Sequence, residues 1–165
     1  MYDFLLRPRW LMSGLATTVF LAGCTAPVTS PPVPETTTAP KCVAAATGEP
    51  LIGNWLSVRK QKGVAGELRT LFSLNADGTM AYTEQLKRGK NPSQGLDEGG
   101  CWRRDKQALV IQTLESNGAP VNLDDPIYTN RYTVVSANAN AIALKGEDGT
   151  SITARRMSPG YRLPF

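Results

Sequence analysis

The sequence predicts an all-β fold: an eight-stranded antiparallel up-and-down barrel, preceded by a signal peptide and a disordered Pro/Thr linker. Three observations predict it. From residue 51 onward, short alternating apolar stretches recur with turn signals between them. The connections are short, so sequence neighbours pair antiparallel. Eight strands in series would expose two free edges unless the meander closes on itself.

LIGNWLSVRK (51–60) supplies the first strand. LRTLFSL (68–74) and TMAYTEQL (79–86) flank Asn75-Ala76-Asp77-Gly78, a hairpin signal. GCWRRD (100–105) and ALVIQTLE (108–115) are separated only by Lys106-Gln107. IYTNRYTVVS (127–136) and AIALKG (141–146) flank a four-residue turn. Glu147-Asp148-Gly149 then leads into TSITARRM (150–157). Two stretches read as loops: KRGKNPSQGLDEG (87–99) and SNGAPVNLDDP (116–126). SPGYRLPF (158–165) reads as a loose tail over the outside.

Side chains alternate across a strand, so one parity fills the barrel. That parity selects Trp55, Phe72, Met80, Tyr82, Trp102, Leu109, Ile111, Tyr132, Val134, Ile142, Leu144 and Ile152. Glu84 shares the parity of Met80 and Tyr82. It reads either as a polar handle inside the mouth or as a solvated strand end.

The segment before the barrel has a different character. MYDFLLRPRWLMSGLATTVFLAGC places Arg7 and Arg9 before an apolar run at 11–21 and small residues. This is the plan of a secretory signal peptide over 1–23, and the run is too short to span a bilayer. Residues 25–40 hold five prolines and five threonines, too little apolar surface to fold. They read as a spacer reaching up to about 3 Å per residue, or as a glycosylated stretch. The barrel domain takes 41–165.

Leu21-Ala22-Gly23-Cys24 resembles the lipobox of bacterial lipoproteins. The resemblance implies cleavage before Cys24, a diacylglycerol on its sulfur, and a new amino terminus open to palmitate-type acylation. Two or more chains anchor a protein stably without spanning. Thr25 follows the cysteine; by likeness to enterobacterial sorting, this favours the outer membrane, facing the periplasm. Setting Cys24 aside leaves Cys42 and Cys101. In an oxidising envelope two such cysteines pair, and the alternative is two free thiols.

Gly53-Asn54-Trp55, Gly100-Cys101-Trp102, the Tyr-x-Val segment at Tyr132 and the closing Arg155-Arg156 together resemble bacterial lipocalin-like lipoprotein domains over 51–157. The resemblance implies that Trp55 plugs the closed end and that an arginine of the last strand lies across its ring. Parity with Ile152 and Ala154 favours Arg156, with Arg155 the alternative.

Composition limits the chemistry. The chain has no histidine, so the usual general base is missing. It also shows no nucleophile elbow, phosphate loop or metal-ligand spacing. Asp124-Asp125 before Pro126, and Asp97-Glu98, read as turn caps. The net charge of +4 is scattered in short basic runs, which read as strand ends and not as a nucleic-acid surface. The expectation is therefore a non-enzymatic envelope lipoprotein with no cofactor and no metal. It would bind a small, partly apolar ligand through Tyr82, Glu84 and Tyr132. The alternatives are a protein-interaction module, as accessory subunit, sensor or inhibitor, and a purely structural lipoprotein.

Overall fold

Alternation and tight turns become strands β1 (Gly53–Arg59), β2 (Glu67–Leu74), β3 (Thr79–Arg88), β4 (Asn91–Asp105), β5 (Ala108–Ser116), β6 (Ala119–Pro120), β7 (Thr129–Ala137), β8 (Ala141–Gly146) and β9 (Ser151–Met157). The computed structural model describes residues 40–164 other than 61, 62, 64 and 90, and only the backbone of 91–94. The signal peptide, the lipobox with Cys24, and linker residues 25–39 lie outside the described residues. So do Lys62 and Lys90 of the basic runs.

Every strand pairs antiparallel with its neighbours in the order β4-β3-β2-β1-β9-β8-β7-β5, and β4 pairs back onto β5. The ring therefore has eight strands, and β6 is a two-residue addition to the end of β5. Closure leaves no exposed sheet edge running the length of the wall.

One register line threads the interior. Trp55 lies opposite Phe72, Phe72 opposite Tyr82, and Tyr82 opposite Glu98. Trp102 lies opposite Ile111, Leu109 opposite Tyr132, Leu144 opposite Ile152, and Arg156 opposite Trp55. All twelve residues expected inside join one cluster. Nine are buried; Tyr82, Tyr132 and Val134 are half-buried and packed against them. Leu51, Leu74 and Ala154 complete it.

The hairpins divide between two ends. The β2–β3, β4–β5 and β7–β8 turns form the base. The β1–β2, β3–β4, β5–β7 and β8–β9 connections surround the mouth.

Three expectations need correction. Residues 87–88 and 91–99 are strand, not loop: β3 and β4 pair from Thr79↔Cys101 out to Arg88↔Asn91. Backbone ladder bonds need no apolar side chains, so a polar, glycine-rich sequence can extend a hairpin beyond the core. Residues 127–128 begin not as strand but as a single 3-10 turn, Pro126–Tyr128. Asp125 caps it by accepting from the Ile127 amide at 3.1 Å. The tail is not loose. Leu163 is buried against Leu56 and Leu71 on the outer face of β1 and β2, beside Met157 and Tyr161. Asn54 Nδ2 donates to the Ser158 carbonyl at 3.0 Å, and Gln85 Nε2 donates to that of Pro164.

Candidate functional site

The base is shut by an interlocked set of groups. Trp55 is fully buried, and its indole Nε1 donates to the Leu51 carbonyl at 2.7 Å. The Arg156 guanidinium carbon stands 4.0 Å from the centre of the Trp55 ring. The same guanidinium donates to the carbonyls of Ala139, Ile52 and Pro50. Arg156, not Arg155, is therefore the arginine over the tryptophan. It joins the β7–β8 turn, the last strand and the segment entering β1. A planar fork with several fixed donors suits that role better than an ammonium.

Gly53 makes the approach possible. Its φ is +141°, and a Cβ there would overlap the Arg156 guanidinium. Beside this plug, Trp102 Nε1 donates to the Asn75 carbonyl at 2.8 Å. Cys42 and Cys101 form a disulfide with Cα atoms 5.1 Å apart, fixing the entering chain to β4.

The upper half of the interior differs. The inward positions above Trp55, Phe72 and Ile111 are Ser57, Thr70 and Thr113, all three buried. Phe72 forms an apolar floor. Tyr82 meets it edge-on with ring centres 5.2 Å apart, and Tyr132 reaches it from the opposite wall at 6.4 Å. The Tyr82 hydroxyl donates to Glu84 Oε2 at 2.7 Å. Thr113 Oγ1 donates to Glu98 Oε2 at 3.3 Å. The structure thus brings Tyr82, Glu84 and Tyr132 into one half of the barrel and adds Glu98, Thr70 and Thr113.

The sequence reads Glu98 as a turn cap, and the structure corrects this. Glu98 stands on β4 directly opposite Tyr82, facing in. Counting back by twos from the inward Trp102 gives Gly100 and then Glu98, so the signal was present. The glycines around it hid the strand. Ser57, Thr70 and Thr113 were legible by the same count, two residues from Trp55, Phe72 and Ile111.

Burial sets the electrostatics of this half. Both tyrosine hydroxyls are pushed above the usual phenol range by burial; the hydrogen bond to Glu84 adds to this for Tyr82. The Glu98 carboxyl is pushed up by desolvation first and by the charge of Glu84 last, against the Thr113 hydrogen bond. At the rim, Asp148 is held low by its hydrogen bonds with Thr150 and, more weakly, by Arg59.

A cleft of about 350 Å³ opens at the mouth, lined by Arg59, Asn130, Tyr132, Asp148, Thr150 and Ile152 among others. The β1–β9 ladder ends at Leu56↔Arg155, so Ser57–Arg59 and Ser151–Ala154 are not laddered to each other beside it. Among the described residues, no group of three or more His, Cys, Asp or Glu side chains could hold a metal. The chemistry on offer is recognition: phenols, carboxylates and hydroxyls above an apolar floor. Fold and site define an eight-stranded antiparallel barrel, packed shut at one end and carrying hydroxyl, phenol and carboxylate groups beside the buried Leu68 at the other, consistent with a lipocalin-like domain. No protein-family model matches the chain, and no curated protein matches it.

Proposed function

We propose that the protein is a membrane-anchored envelope lipoprotein whose barrel binds a small, partly apolar molecule in its open half and catalyses no reaction. The observation that carries the binding reading is the division of the interior. One half is packed shut around Trp55, whereas the other places half-buried Tyr82, Tyr132 and Glu84 over Phe72, with a cleft of about 350 Å³ at the rim. Ligand sites favour barrel mouths with a mostly apolar wall and a few convergent polar groups. The lack of histidine supports a binding role over an enzymatic one.

The anchor reading rests on Leu21-Ala22-Gly23-Cys24 after an apolar run. Lipid on Cys24 would hold the protein at the outer membrane facing the periplasm, with the Pro/Thr linker giving clearance. The protein-partner alternative rests on 87–99 and 116–126 as loops; most of the first belongs to the β3–β4 ladder, which leaves it the second.

Native mass spectrometry of the protein extracted from its own membrane tests both parts. The expected mass is that of a chain starting at Cys24 with acyl additions, plus a small molecule released on denaturation. Cys24→Ala should leave the protein without acyl additions and its leader uncut. An unmodified chain starting at Met1 would refute the anchor; a lipidated chain that never carries a small molecule would refute the binding.

A further inference from the structure

The polar half of the barrel has an imbalance that points to the charge of its occupant. Glu84 and Glu98 project into it from neighbouring strands as diagonal neighbours on the same inner face, Glu98 opposite Tyr82 and Glu84 opposite Leu96. Among the described residues, the ion pairs are Arg69–Glu67, Arg103–Asp105, Arg104–Glu49 and Arg131–Asp105. Neither inward glutamate has a cationic partner there. Arg59, the inward cation at the end of β1, acts on Asp148 and on Tyr132, a residue that also feels the charges of Glu98 and Glu84. On the same inner face, the Tyr82 and Tyr132 rings meet Phe72 edge-on, with ring centres 5.2 and 6.4 Å from it. Aromatic rings with nearby carboxylates are the recognition chemistry of an organic ammonium group, which gains from ring quadrupoles and from charge-assisted hydrogen bonds.

We propose that the barrel takes an organic cation: an ammonium head held between the Tyr82 and Tyr132 rings by Glu84 and Glu98, with an apolar body lying toward Phe72 and Ile152. The proposal rests on the binding reading above and adds the sign of the ligand. A neutral or anionic apolar molecule would leave each carboxylate desolvated with only one hydroxyl donor, Tyr82 for Glu84 and Thr113 for Glu98.

Three probes of equal length separate the two claims: octylammonium, octanol and octanoate, titrated into the full-length protein by calorimetry, with tyrosine-ring chemical shifts locating the site. Octylammonium is expected to bind at least tenfold more tightly than the other two and to shift Tyr82 and Tyr132. The Glu84→Gln/Glu98→Gln double variant should lose that preference and keep octanol affinity, whereas Asp97→Asn, on the outer face, should change nothing. Octanol or octanoate binding as tightly at the same tyrosines would overturn the cation assignment and leave the binding reading standing. No binding of any probe by the folded protein would overturn both. Circular dichroism of each variant checks that the barrel is intact.

Discussion

Arg156 satisfies three carbonyls from two separate segments and covers an indole that would otherwise face solvent at the base. Its position depends on Gly53, which combines a backbone angle that side chains avoid with the absence of a Cβ. Gly53→Ala should therefore cost about 2–3 kcal/mol, read as a lower urea midpoint with an unchanged slope. A loss below about 0.5 kcal/mol would mean that the arginine moves aside freely. At the other end, Glu98 gives a pH signature. Its carboxyl titrates above its unfolded value, chiefly through desolvation. The native state then favours the protonated form, so this contribution to stability is present at low pH and fades as pH rises through the folded pKa. Glu98→Gln should be no more stable than wild type near pH 4 and more stable near pH 8. The lowered carboxyls of Asp77, Asp105 and Asp148 carry the opposite sign, but they are common to both proteins and cancel in the comparison. Unfolding curves across that range would contradict the placement of Glu98 if the two proteins ran parallel.

At the scale of elements, the strands were legible wherever alternation and a turn coincided. Asn75-Ala76-Asp77-Gly78 makes the β2–β3 hairpin, with Gly78 at φ +83° against the Val43 backbone. Lys106, at φ +55°, turns β4 into β5 without a glycine. The first half of β4 was hidden because it lies partly beyond the core: no apolar alternation marks NPSQG, and glycines read as turn residues. The tail was hidden for another reason. Leu163 lies in a short tail between Pro159 and Pro164 with no periodic pattern, and only the fold shows that Leu56 and Leu71 face outward beneath it. Local pattern cannot reveal an outer patch that needs a cover contributed from about a hundred residues away. Leu163→Ala should destabilise by about 2–3 kcal/mol and make the tail sensitive to carboxypeptidase. An unchanged melting temperature and an uncut tail would contradict its role as a strap.

Among the described residues, the barrel is a closed ring fastened at its base, with a cleft at the rim of its other end. The disulfide joins the incoming chain to the ring across a separation of 59 residues. In the chain-entropy model it contributes about 4 kcal/mol, so Cys42→Ser with Cys101→Ser should lower stability by an amount of that order. The mouth lies at the other end, and ligand binding should survive that change in the fraction that stays folded. The parity rule located this half of the site in part. It named Tyr82, Glu84 and Tyr132 because each shares a strand with bulky core residues, and it passed over Ser57, Thr70 and Thr113 because small hydroxyl residues look alike on either face. The most direct measurement is a crystal structure of the protein purified from its own membrane with its contents retained. The account predicts a small molecule over Phe72, between the Tyr82 and Tyr132 rings, with a positively charged group at Glu84 and Glu98. A barrel whose own side chains fill the space to the rim would contradict it.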